Sequence, residues 1–228
     1  MDASWLDSGY RLIAELLLHP DDRDHNRVER LLGAASDGPG PLHKALQQFQ
    51  NDPLSGSADE YVQTVELSPP CPLYLGAYLF DEPTTCRGVG TSGRNAYMLE
   101  LTGLYRHFGF QLAGRELPDY LPVVAEFLAL SLGRTPRQAP ALRRRLLEVH
   151  IQPAIAPLRE KLTSYQSPCA FLLEAFASLV SGDLDQLAGI QPWQPPGAPT
   201  TRRGSRQPRR LPVLGDPVAT RRPLEVQP

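Results

Sequence analysis

The sequence predicts an all-α fold: a single globular domain of about eight to ten short helices, followed by a disordered tail. Three observations lead there. Apolar residues recur at helical spacing along most of residues 1–189. Proline makes up 24 of the 228 residues, about twice its usual share, which excludes coiled coils and long helical rods. No stretch alternates strictly enough for a strand, and no Asn-Gly or Asp-Gly turn joins two such runs.

The elements follow in chain order. Over residues 4–18, Leu6, Tyr10, Ile13 and Leu17 share one helix face, and His19-Pro20 ends the run. Shorter helical patterns cover 25–35 and 41–50, the second closed by Asp52-Pro53. Ser57 with Glu60 three residues on has the capping-box form and opens a helix to about Leu67. The clearest helix spans 92–108, with Tyr97, Leu101, Leu104, Tyr105 and Phe108 as its stripe. Arg106 and His107 suit its negative end, and Gly109 supplies a left-handed terminator on which Phe110 folds back. A helix from near Pro118 to about Leu130 carries both Pro118 and Pro122 at or near its first turn. Residues 139–163 form a helical stretch broken or kinked at Pro153 and Pro157. The last helix starts at Ser167-Pro168 and stops at Ser181-Gly182.

Charge divides the chain in two. Residues 190–228 hold nine prolines, seven arginines and two acids, a net of +5. Removing these from the totals of 23 basic and 25 acidic residues leaves 16 and 23 in residues 1–189, a net of −7. The tail has too few clustered apolar side chains to offset the entropy of ordering, hence the division into a helical domain, 1–189, and a disordered Pro/Arg-rich tail, 190–228. The start of the chain lacks the charged and apolar regions of a signal peptide, and no apolar run approaches the ~20 residues of a membrane span. Cys71, Cys86 and Cys169 stand far apart, as reduced thiols of a cytoplasmic protein do.

Most catalytic signatures are absent: no HExxH, GxSxG, Walker lysine or CxxC motif occurs, and the five histidines are scattered. Gly88-Val89-Gly90-Thr91-Ser92-Gly93 matches GxGxxG but follows a loop where a dinucleotide site needs a strand, so a glycine linker is the stronger reading. Arg143-Arg144-Arg145 reads as a solvated helix face rather than a nucleic-acid patch, because the domain around it is acidic. In the segment from Glu116 to Pro122, two carboxylates, Glu116 and Asp119, stand at a helix start beside Tyr120. On physical chemistry alone, Asp119 is a helix cap and Tyr120 is partly buried packing.

The block from Cys71 to Leu130 resembles the nitrate reductase delta-subunit family, the molybdenum-cofactor assembly chaperones related to redox-enzyme maturation proteins of twin-arginine substrates. Glu116-Leu117-Pro118-Asp119-Tyr120-Leu121-Pro122 is the most specific match. Leu73-Tyr74-Leu75, Tyr78, Phe80-Asp81 and Arg87-Gly88 precede it in order, as does Leu104-Tyr105-Arg106 with Gly109-Phe110. Phe80-Asp81-Glu82-Pro83 departs from the glycine-containing turn that is more usual there, and the arginine-rich tail lies outside the common core.

The resemblance implies a cytoplasmic, all-helical chaperone and not an enzyme. It implies binding of the N-terminal region of an apo molybdenum oxidoreductase, nitrate reductase or a relative, and support for cofactor insertion before assembly or export. The client-peptide site would comprise Tyr74, Tyr78, Phe80, Arg87, Gly88, Glu116, Leu117, Pro118, Asp119, Tyr120, Leu121 and Pro122. Aromatic and apolar members would line a groove, and Glu116 and Asp119 would meet basic residues of the peptide. No cofactor or metal is expected to be held permanently, only transient contact with the client's molybdopterin guanine dinucleotide. Nucleic acid and membrane insertion are not expected, and the chaperone would be a monomer or a helix-exchanged dimer. The alternatives are a nucleotide-binding protein using Gly88–Gly93 and a non-catalytic adaptor acting through the basic tail.

Overall fold

The computed structural model describes residues 4–66, 69–81, 93–114, 116–194 and 209–211. Nine α-helical segments are found among them: α1 (Ser4–Leu16), α2 (His25–Ala34), α3 (Gly40–Asn51), α4 (Ala58–Tyr61), α5 (Gly93–His107), α6 (Leu121–Ser131), α7 (Ala139–Arg145), α8 (Gln152–Ser164) and α9 (Cys169–Gln186). The fold is all-α, as the apolar periodicity predicts.

The core forms where α1 lies between α6 and α9, with α3 and α8 on the other sides of α9. Tyr10, Tyr105, Phe127 and Phe176 are its largest buried side chains. Each fully buried Leu, Ile or Phe there stabilises the fold by about 1.5–3 kcal/mol. Two glycines make the close approaches possible. A Cβ on Gly9 would stand 2.4 Å from Leu179, and one on Gly182 would stand 2.5 Å from the Trp5 ring.

Several termini obey their local chemistry. Ser57 Oγ accepts the Glu60 amide at 3.2 Å, opening α4. Gly109 takes φ +83° after α5, as a left-handed terminator must. Pro122 falls in the first turn of α6.

Other boundaries depart from the sequence reading. Helix α6 starts at Leu121, not near Pro118, because residues 119–121 pair with 73–75 instead. Leu75 N–H donates to Asp119 O at 3.0 Å and Leu121 N–H to Leu73 O at 2.8 Å. Helix α9 runs through Ser181-Gly182 to Gln186, since Gly182 is the contact surface for Trp5 rather than a stop. Between α7 and α8 the helical path continues through a π-helical stretch, Leu146–Ile151, where Gln152 N–H reaches back five residues to Leu147 O. That widened turn precedes Pro153, which stands in the first turn of α8, and Pro157 is carried inside the helix.

The basic run is not a solvated face. Arg143 is buried and holds Asp183 through its guanidinium, with Nε 2.9 Å from Oδ1. Tyr10 Oη donates to the same carboxylate at 2.9 Å, and Arg143 also donates to Leu128 O and Ser131 Oγ. Arg144 pairs with Glu148 and Arg145 with Glu100. Spacing alone hides this, because the buried partner of Arg143 lies 40 residues away.

Two short strands were not expected: β1 (Phe110–Leu112) and β2 (Arg209–Leu211) pair in parallel. Residues 209–211 belong to the Pro/Arg-rich tail. The rest of the tail beyond Gln194 lies outside the described residues.

Candidate functional site

The Glu116–Pro122 segment is a turn pinned from both sides before it enters α6. Its backbone forms an antiparallel bridge, Tyr74 with Tyr120, against the short 3-10 turn Leu75–Tyr78. From the other side, Tyr105 Oη of α5 donates to Pro118 O at 2.6 Å.

Asp119 is the internal fastener of this arrangement. It is 0% exposed, and its Oδ2 accepts the Gly76 amide at 3.0 Å. Arg94, in the first turn of α5, brings its guanidinium to 3.7 Å of the same oxygen. Asp119 Oδ1 accepts no hydrogen bond among the described residues. Burial outweighs the Gly76 and Arg94 contacts and raises the Asp119 carboxyl above its ordinary range. A Cβ on Gly76 would stand 2.7 Å from Asp119 Oδ2, so the glycine is what lets the carboxylate approach.

The remaining expected residues divide by direction. Pro118, Leu121 and Pro122 are buried with Asp119. Leu117 is 42% exposed, an apolar side chain left in solvent at the tip of the turn. Glu116, Tyr120, Tyr74, Tyr78 and Phe80 are half-buried. Tyr74 Oη donates to Glu116 Oε2 at 3.2 Å, and the Tyr74 and Tyr120 rings stand 5.3 Å apart. Burial and the neighbouring Glu116 carboxylate push the Tyr74 phenol up to about 12. Burial raises the Tyr78 and Tyr120 phenols as well. Phe80 packs against the Tyr97 ring at 5.4 Å, and Tyr97 Oη in turn donates to His150 O.

One surface therefore carries Glu116, Leu117, Tyr120 and Tyr74, while Asp119 faces inward and organises it. Arg87 and Gly88 lie outside the described residues, as does the glycine loop through Ser92, while Gly93 is the first residue of α5. Sequence reasoning missed Gly76 and Arg94 as members of the site. Gly76 lay inside the Tyr74–Phe80 run, but only the fold shows that Asp119 reaches it. No group of three or more His, Cys, Asp and Glu side chains suited to a metal ion occurs among the described residues. No helix among them is long and apolar enough to cross a membrane.

Fold and site together define an all-helical protein that presents a tyrosine- and carboxylate-bearing turn, pinned from within by a buried aspartate. A family model described as nitrate reductase delta subunit matches residues 32–160, more than half of the chain. The chain belongs to the nitrate reductase delta subunit family, a family of maturation chaperones. Among curated proteins, the nitrate reductase-like protein NarX of Mycobacterium tuberculosis, in two strains, is 32% identical over 174 residues. The match covers 75% of this chain and 24% of the relative, so the chain spans about a quarter of the length of the curated relatives it matches.

Proposed function

We propose that the protein is a cytoplasmic, non-catalytic chaperone dedicated to the catalytic subunit of a molybdenum oxidoreductase, nitrate reductase or a relative. It binds the N-terminal region of the apo subunit and keeps that subunit competent for cofactor insertion before assembly or export. The observation that carries this reading is the pinned turn at Glu116–Tyr120 in a chain of this family. An amphipathic peptide needs apolar contact area beside a charge of opposite sign. Leu117, Tyr74 and Tyr120 provide the first, and Glu116 provides the second. The net charge of −7 on residues 1–189 favours encounter with a basic peptide.

Asp119 takes part as a positioning residue, because a fully buried carboxylate does not meet a peptide directly. The molybdopterin guanine dinucleotide is the client's cofactor, and contact with it is transient. The protein acts as a monomer or as a helix-exchanged dimer.

Calorimetry with a peptide from the N-terminus of a nitrate reductase catalytic subunit of the same organism tests this. The unmodified chain should bind saturably, and Glu116→Gln combined with Leu117→Ala should weaken binding at least tenfold with helicity unchanged. Equal affinity in the two chains removes the site. Absence of any binding removes the client reading.

A further inference from the structure

The tail has no part in the reading above, yet three of its residues are placed. Arg209, Arg210 and Leu211 lie beside Phe110, Gln111 and Leu112 in parallel register. A three-residue strand leaves a row of main-chain donors and acceptors on its edge, and such an edge binds extended chain. A cleft of about 170 Å³ runs along β1, lined by Thr102, Tyr105, Arg106, Phe110, Gln111 and Leu112.

From these observations we infer that β1 is a strand-acceptor site for an extended peptide segment, and that the chain's own residues Arg209–Leu211 occupy it in cis. The connection permits this. Fourteen residues separate Gln194 from Arg209, a reach of up to roughly 50 Å when extended. The starting point is fixed to the domain, where Trp193 N–H donates to Ala141 O at 2.9 Å.

The observed pairing is one of main chain with main chain, Phe110 to Leu112 against Arg209 to Leu211, which makes the tail a displaceable occupant. Such a pairing is little changed by added salt, whereas a charge-driven contact would weaken. The inference is independent of the identity of any client.

Amide hydrogen exchange on the full chain tests it. Three chains are compared: unmodified, Arg209→Pro with Arg210→Pro and Leu211→Pro, and Arg209→Gln with Arg210→Gln. Proline removes the strand's donors, whereas glutamine removes only its charge. Exchange at Gln111 and Leu112 should be at least tenfold faster in the proline variant. It should be unchanged in the glutamine variant, and unchanged in the unmodified chain when salt is raised. A synthetic peptide of residues 206–214 should restore protection to the proline variant. Equal exchange in all three chains overturns the site. Faster exchange in the glutamine variant, or in salt, overturns the main-chain origin. Protection that rises with protein concentration overturns the cis assignment in favour of strand exchange between two copies.

Discussion

Replacing Asp119 by leucine and by asparagine separates the two things its carboxylate does. Through Oδ2 it accepts the buried Gly76 amide at 3.0 Å, and it places negative charge 3.7 Å from Arg94. Leucine removes both: it orphans a buried donor, which costs about 1–3 kcal/mol, and it gives up the ion pair with the partly exposed Arg94, worth about 1 kcal/mol. The sum is about 2–4 kcal/mol, a fall in Tm of roughly 5–15 °C for a domain of this size. Asparagine keeps an acceptor for Gly76 and gives up only the charge.

The pH dependence of the asparagine variant has a definite sign. Burial raises the Asp119 carboxyl in the folded chain. A carboxyl raised on folding contributes its stability below its unfolded value and loses it as pH rises through the folded one. Asparagine does not titrate, so the unmodified chain should gain on Asp119→Asn as pH falls from 7 towards 4. Urea denaturation followed by far-ultraviolet circular dichroism, at several pH values in that range, measures the difference. Other raised carboxyls such as Glu126 are common to both chains and cancel. An unchanged midpoint for Asp119→Leu refutes the fastening role. An advantage of the unmodified chain that grows with rising pH refutes the dominance of burial.

Two further outcomes concern the core. Arg143→Met leaves Asp183 charged and buried without its guanidinium, and should cost about 3–5 kcal/mol. Adding Asp183→Leu should recover part of that loss in the same urea titration, because the uncompensated charge is then gone. Gly182→Ala puts a Cβ 2.5 Å from the Trp5 ring and should cost about 1–3 kcal/mol. Combining it with Trp5→Leu should recover some of the loss in thermal melts.

The helices were legible because they announce themselves locally. Leu6, Tyr10 and Ile13 repeat on one face of α1, Ser57 caps α4, and Gly109 terminates α5. What escaped depends on distant partners. Arg143 belongs to the core only because Asp183 comes to it from α9, and Gly182 looks like a helix stop until Trp5 is laid against it. The site was half legible. The residue types marked Glu116–Pro122 and the Tyr74–Phe80 run as two segments, but not that they pair with each other. That pairing replaces the first helical turn expected at Pro118 and turns Asp119 inward. A cap and a buried fastener are the same residue type just before a helix, and only the partner distinguishes them.

The division of the turn into inward and outward residues makes the proposed binding role testable apart from stability. Binding costs ordering entropy, and a surface held in its bound shape beforehand avoids part of that cost. Asp119, with Gly76 and the Tyr105–Pro118 bond, does the holding; in the proposed role, Glu116, Leu117 and Tyr120 would make the contact. Substitutions at outward positions should therefore lower peptide affinity with little change in unfolding free energy. Asp119→Leu should lower both together, since the fold and the turn share that fastener. Affinity set against unfolding free energy for Glu116→Gln, Leu117→Ala, Tyr120→Phe and Asp119→Leu should separate into these two groups, with Asp119→Asn, which keeps the Gly76 acceptor, close to the unmodified chain in both. If Asp119→Asn weakens the peptide while the unfolding free energy stays constant, the carboxylate meets the client directly, and the inward orientation is not the one that binds.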